Sequence, residues 1–356
     1  MKGLILSGGK GTRLRPFTYT GAKQLVPVAN KPVLFYAIED LVEAGITEIG
    51  IVISPETGDQ VKQAVGDGAR FGARVAYIVQ DAPRGIAHGI KIAREFVGDD
   101  SFILFLGDNF IRDGIVSQVR AFRENAMNAQ IILYRLDDPS AMGVALLDGD
   151  GRVTRLVEKP KQFISPYAVI GIYMFDRNVF DAVDAIKPSA RGELEITDTI
   201  QWLIDRGLNV RAHLLEGWWI DTGKMADILE ANRLVLDILE ARNQGQVDSA
   251  SRIEGRVAIE PGAVIVNSLI RGPAIIGERT RIENAFVGPY TSIYHDCTIH
   301  DCEIEHSVVL EHSKISRAPA RIADSLIGRH AEVARADGHS KTLNIMIGDY
   351  SKVGIL

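Results

Sequence analysis

Between residues 253 and 333 apolar side chains recur every five to seven positions, at Ile253, Ile259, Ile265, Ile270, Ile276, Ile282, Val287, Ile293, Ile299, Ile304, Val309, Ile315, Ile322, Ile327 and Val333. A helix repeats at 3.6 residues and a strand at 2.0. Neither period gives this spacing over so long a stretch. It is the hexapeptide rhythm of a left-handed parallel β-helix, in which each turn has three flat faces and each face sends one apolar side chain into the prism. At about 18 residues per coil the stretch makes about four to five coils. Antiparallel strands in a sandwich would instead be punctuated every ~8–12 residues.

The rest of the chain has a different character. Of 24 aromatic residues only Phe286, Tyr290, Tyr294 and Tyr350 lie beyond residue 245, whereas six of the eight histidines follow residue 290. With 356 residues, two cores are expected, because a single core rarely grows past ~250–300 residues. The first part alternates. Short β-branched or aromatic runs at 4–7, 49–53, 75–79 and 102–106 read as buried strands. Amphipathic patterns at 32–44, 87–96 and 115–125 read as helices. Further strands are expected at 130–135, 143–147, 153–157, 168–175 and 210–215, and a closing helix at 225–242. This implies an α/β chain: a Rossmann-like mixed, mostly parallel sheet over residues 1–243, then the β-helix and a C-terminal tail over 244–356, with a hinge at 243–246.

Composition excludes several functions. The net charge is −6, from 40 Lys+Arg against 46 Asp+Glu, so nucleic acid is not an expected partner. The longest apolar stretch, 168–175, is far short of the ~20 residues of a membrane span. The N-terminal residues read as a strand rather than a signal peptide. Cys297 and Cys302 are the only cysteines, which fits a reducing compartment, and a cytoplasmic location is expected.

Ser7-Gly8-Gly9-Lys10-Gly11-Thr12-Arg13-Leu14 follows the first strand directly. Its glycines let backbone N–H groups approach anionic oxygens, and Arg13 adds a fork-shaped cation. The loop lacks the Gly-Lys-Ser/Thr ending of a Walker A loop, and Leu14 stands where the dinucleotide fingerprint has its last glycine. Alone it would suit a tight turn equally well. Lys23 and Gln24 follow in Lys23-Gln24-Leu25-Val26-Pro27-Val28.

These two motifs, from Gly8 to Pro16 and from Lys23 to Val28, resemble the sugar-1-phosphate nucleotidylyltransferase family. Further blocks match in order: Gln80 to Ala87, Leu106 to Asn109, Gly143-Val144, Glu158 to Pro160, Tyr167 to Val169, Arg191 to Asp198 and Trp219 to Gly223. With its added β-helix the chain is similar to the long form of the family, and the resemblance covers essentially its whole length. It implies transfer of a thymidylyl group from dTTP to glucose 1-phosphate, giving dTDP-glucose and pyrophosphate. UTP, or another pairing of nucleotide and hexose 1-phosphate, is the alternative.

The resemblance also implies roles. Asp108 and Asp221 would share Mg²⁺, a cation that favours one or two carboxylates plus phosphate oxygens and water. Gly8, Gly9, Gly11, Thr12, Arg13, Lys23 and Gln24 would hold the triphosphate, with Arg13, Lys23, Asp108 and Lys159 carrying the chemistry. Gln80 and Gly85 would read the base, since an amide offers both a donor and an acceptor. Asn109, Gly143, Glu158, Lys159, Val169 and Arg191 would bind the sugar phosphate. Read without the family, Asp108 and Asp221 could be turn-forming residues, and Glu158-Lys159-Pro160 a charged turn.

Two other functions compete with this one, an acyltransferase built on the β-helix and a non-catalytic nucleotide-sugar sensor. The histidines 295, 300, 306 and 312 repeat with the solenoid and read as corner residues rather than metal ligands, with only His295 and His312 stacking. The β-helix and residues 343–353 are expected to mediate self-association into a homodimer or homotetramer, because solenoids leave open ends.

Overall fold

The computed structural model describes residues 1–9, 11–19, 21–335 and 351–354. The described residues fall into two compact units. Met1–Lys10, Gly21–Leu25 and Val33–Asp221 make the first; Gly11–Thr20, Val26–Pro32 and Thr222–Leu356 make the second.

The first unit is built on a nine-stranded sheet. Its main path runs Val153–Glu158, Gly143–Leu147, Tyr167–Phe175, Phe102–Leu106, Lys2–Ser7, Glu48–Ile53, Arg74–Val79. Ala129–Arg135 pairs with Tyr167–Phe175, and Val210–Leu214 with Ala129–Arg135. Lys2–Ser7 lies parallel to both neighbours, with Leu4 opposite Gly50 and Leu104. Tyr167–Phe175 joins Phe102–Leu106 antiparallel, so the sheet is mixed but mostly parallel at its centre, as expected. Successive residues feed opposite faces. Leu4, Val52 and Leu104 enter one core cluster, and Ile5, Ile51, Ile103 and Phe105 enter the other. Burial on both faces explains why these strands read as unbroken apolar runs.

Several helix boundaries differ from the expectation, and the helix expected at 87–96 is two, Ile86–Ile92 and Arg94–Val97. The helix expected from residue 32 begins at Val33, because Pro32 pairs across a small hairpin with Pro27. The closing helix stops at Asp237 rather than at 242, because Arg242–Asn243 is already a strand paired with Ala258 and Ile259. Gln246–Val247 likewise pairs with Val264 and Ile265, so the stretch expected as a hinge lies within the first coil.

In the second unit, parallel strands stack in three sheets of six, six and four strands, the pattern of the expected left-handed β-helix. Ile265 stacks on Ile282, Ile282 on Ile299 and Ile299 on Ile315, all buried along the prism axis. Ile253 is 37% exposed because it begins its stack, with Ile270 as its neighbour on one side only. The corners repeat with the coil. Asn267, Asn284, Asp301 and Arg317 all have positive φ, as do Arg279, Asp296, His312 and His330. Asn and Asp tolerate this conformation better than most residues. His295 and His312 are in ring contact as expected, and His330 adds a stacked third ring 4.8 Å from His312. Of the segment 343–353, residues 343–350 lie outside the described residues. No helix among the described residues is long and apolar enough to cross a membrane.

Cys297 and Cys302 are buried and unpaired to each other. Burial pushes both thiols up to about 11. The thiolate is the reactive form. Both cysteines are therefore expected to resist a disulfide-exchange reagent at pH 8 in the native protein and to react fully in denaturant, as read by released thionitrobenzoate. Fast native labelling of either would contradict this packing.

Candidate active site

The Phe102–Leu106 strand lies mid-sheet, parallel to Lys2–Ser7 on one side and antiparallel to Tyr167–Phe175 on the other, and its carboxyl end delivers Asp108. Ligands in open α/β sheets bind just beyond such ends. Asp108 is 9% exposed, and the Lys23 ammonium forms an ion pair with its Oδ2. Lys23 comes from the short 3-10 turn Lys23–Leu25, far away in sequence. Asn109 Nδ2 donates to Asp108 Oδ1 at 3.2 Å. Its own Oδ1 accepts from Trp219 Nε1 at 2.7 Å and from the Gly171 N–H at 3.2 Å. These bonds fix the residue beside Asp108.

Asp221 reaches the same place by strand pairing. Trp219–Asp221 runs antiparallel to Asn109–Ile111, and Asp221 lies opposite Asn109. More than a hundred residues thus separate two carboxylates that the sheet brings to neighbouring positions. Their donor set is hard oxygen on short side chains, which suits Mg²⁺. Asp108 is held against an ammonium in this structure, so its carboxylate already sits where a cation is favoured.

A cleft of about 370 Å³ opens at this strand end. Its walls gather Gly8, Gly9, Lys23, Gln24, Gln80, Gly85, Asp108, Glu158, Lys159 and Arg191, all expected from the sequence. Gln24 Oε1 in its wall, and Ser7 Oγ at the end of the Lys2–Ser7 strand, are buried without a hydrogen-bond partner among the described residues. On one side Gln80 Nε2 and His88 Nδ1 lie 3.0 Å apart. Burial, then the nearby Arg84, lowers the His88 pKa and keeps its imidazole neutral. Gly85 has φ +96°, and a Cβ there would fall 2.5 Å from the Leu194 carbonyl oxygen, so only glycine fits.

On the other side Gly143 pairs with Glu158. A Cβ at Gly143 would lie 2.6 Å from Thr197 Cγ2, 3.4 Å from Glu158 Oε2 and 3.8 Å from Val169 Cβ. Three residues expected to bind sugar therefore converge within one side chain's reach. Arg191 contacts three carboxylates: Glu195 at 2.8 Å, Glu158 at 3.0 Å and Glu193 at 3.5 Å. Lys159 is half-exposed, 3.8 Å from Glu158.

Gly11, Thr12 and Arg13 belong to the second unit, where Thr12–Leu14 forms a 3-10 turn capped by Gly11 at φ +62°. There Arg13 favours the carboxylate form of Asp227, against the burial that raises its pKa. Sequence reasoning missed His88, Trp219, Glu195 and Thr197. Glu195 and Thr197 lie inside the block from Arg191 to Asp198 and were visible as part of it. Trp219 likewise opens the block from Trp219 to Gly223, whereas His88 lies just past the block ending at Ala87 and carries no spacing signal. His295, Asp296 and His312 bring donor atoms within 4.8 Å of one another. Arg279 already holds Asp296 through two hydrogen bonds of 2.8 Å, with His295 as a third partner. This keeps its carboxyl well below the usual range and fills the cation's place.

Comparison with known proteins agrees with this geometry. The family described as Nucleotidyl transferase matches residues 2–238. A glucose-1-phosphate thymidylyltransferase of Streptomyces griseus is 49% identical over 100% of this chain and 99% of its own length. One from Streptomyces antibioticus is 49% identical over the same shares. A low-salt glycan biosynthesis nucleotidyltransferase of Haloferax volcanii is 46% identical over 95% of each chain. Among solved structures, a Bacillus anthracis protein assigned as a glucose-1-phosphate thymidylyltransferase, crystallised with sucrose, superposes with a TM-score of 0.64 at 39% identity. The match covers 68% of this chain and 98% of that one. A glycine loop, a Lys–Asp pair at a strand end and the convergence of Gly143, Glu158 and Val169 are found in a chain that belongs to the nucleotidyl transferase family.

Proposed function

We propose that the protein transfers a thymidylyl group from dTTP to glucose 1-phosphate, releasing pyrophosphate and forming dTDP-glucose. The observation that carries this reading is one cleft whose walls include Gln80, Gly85, Asp108, Glu158 and Lys159. Such a cleft can hold a base and triphosphate on one side and a phosphorylated sugar on the other. Full-length similarity to two streptomycete enzymes of that activity supports the choice of substrates.

In this reading an oxygen of the sugar phosphate attacks the α-phosphorus in line with the departing pyrophosphate. Both partners are anions, so positioning and charge neutralisation supply most of the catalysis. Lys23, with Arg13, would neutralise the triphosphate and the leaving group. Lys159 would hold the sugar phosphate. Arg191, embraced by Glu158 and Glu195, would aim the Glu158 carboxylate at a sugar hydroxyl. Mg²⁺, when bound by Asp108 and Asp221, would supply further positive charge at the reacting phosphate. Chemistry is assigned to residues 1–243, and 244–356 to the solenoid.

Pyrophosphate release with dTTP, UTP and other triphosphates against glucose 1-phosphate and related hexose phosphates tests the assignment directly. Turnover of dTTP with glucose 1-phosphate is expected. Preference for another pair would overturn the substrates. Asp108→Asn is expected to lower Mg²⁺-dependent kcat/KM by about 100-fold or more, because preorganised charge at the reacting phosphate is lost. Unchanged turnover would remove Asp108 from the chemistry. Gly143→Ala is expected to raise KM for the sugar phosphate about ten-fold, since its methyl group enters the space between Thr197 and Glu158. KM for the nucleotide should stay nearly constant, and equal effects on both substrates would contradict the sugar-side placement.

A further inference from the structure

The loops that follow and flank the anion-binding motif fold with the solenoid rather than with the cleft-bearing unit. Residues 11–20 and 26–32 both belong to the second unit. One buried side chain ties the latter segment down. Asn232, on the Met225–Asp237 helix, is fully buried. Its Oδ1 accepts the Ala29 N–H at 3.0 Å and the Ser292 hydroxyl at 2.6 Å, and its Nδ2 donates to the Tyr290 carbonyl at 3.0 Å. A hairpin, a helix and a solenoid strand therefore meet on one amide with its hydrogen-bonding capacity engaged on both ends.

The hairpin needs such an anchor. Pro27–Val28 and Lys31–Pro32 pair across a two-residue turn in which Ala29 has φ +46° and Asn30 φ +60°. Turns of this hand favour Asn-Gly, and alanine pays a steric cost at positive φ. Such a conformation persists when its surroundings over-determine it. Here Asn232 binds the amide of the strained Ala29 itself, and Asn30 Nδ2 donates to the Ile293 carbonyl at 2.7 Å. Ala29 is also packed in a buried cluster with Leu236, Ala258 and Ile275.

We propose that Asn232 is a positioning residue for nucleotidyl transfer. Through it the solenoid fixes the 27–32 hairpin, and the chain runs directly from the Lys23–Leu25 turn into that hairpin. This inference rests on the dTTP-dependent reading above.

The test uses the full-length protein. Asn232→Ala is expected to raise KM for dTTP about ten-fold while KM for glucose 1-phosphate moves less than about two-fold. Asn30→Gly keeps the backbone conformation, loses one anchor, and is expected to shift KM for dTTP in the same direction by about three-fold. Ile299→Ala, deep in the prism and remote in sequence from the hairpin, is the control for general loss of solenoid stability. It should leave KM for dTTP within about two-fold at temperatures below its unfolding transition. Hydrogen exchange of the peptide carrying Ala29 should accelerate in Asn232→Ala and not in Ile299→Ala. The proposal is overturned if both hairpin variants keep the wild-type KM for dTTP, if Ile299→Ala raises it equally, or if exchange at Ala29 is unchanged. Failure of the enzymatic reading is a separate result: it shows as no turnover of dTTP by the wild-type protein.

Discussion

The ion pair between Lys23 and Asp108 is the contact on which the site depends. Both side chains are largely withdrawn from water. A carboxylate held there without a counter-charge would be costly, and removing one member of a buried pair commonly costs about 3–5 kcal/mol. The pair therefore fixes where the Lys23–Leu25 turn must lie against the end of the central strand. It also concentrates, in one small volume, the opposite charges that a reaction between two phosphate anions requires. Around it the fold supplies positioning: Asn109 braced by Trp219, Gln80 by His88, Glu158 by Thr197 and Arg191.

The solenoid solves a different physical problem. Its coils are held by stacked isoleucines whose register allows little slippage, because a shift of one residue would turn each of them out of the prism. That rigidity makes it a suitable base for a strained turn. The Ala29–Asn30 turn is bound by Asn232 and by the Ile293 carbonyl, so a costly local conformation is tied to the buried helix and to the stacked coils of the second unit.

Much of this was legible in the sequence where a single period or a contiguous motif carries the information. The isoleucine spacing from Ile253 to Val333 announced the coils, because each coil imposes its own repeat. The central strand of residues 102–106 was visible because burial on both faces leaves it no polar position. The gathering of Gly8, Lys23, Gln80, Asp108 and Glu158 into one cleft followed from motifs of a known family rather than from any local signal. What stayed hidden depends on long-range pairing. Asp221 meets Asn109 only through an antiparallel register, and His88 supports Gln80 only because a helix follows that strand. Asn232 looks in sequence like any polar residue on an amphipathic helix, and nothing nearby shows that its face is covered by a hairpin two hundred residues earlier. The helix end at Asp237 was misjudged for a similar reason: residues 238–242 keep a helical composition, but Arg242 and Asn243 are claimed by the first solenoid ladder.

The most direct test of the central claim is binding of Mn²⁺, a spectroscopic substitute for Mg²⁺, followed by electron paramagnetic resonance in the presence of dTTP. If Asp108 is the cation's principal protein ligand and Lys23 its resident counter-charge, Asp108→Asn should weaken Mn²⁺ binding by about ten-fold or more, because a neutral amide cannot replace a direct carboxylate ligand. Lys23→Met should retain the ion. Undiminished binding in Asp108→Asn, or loss of the ion in Lys23→Met alone, would contradict the account.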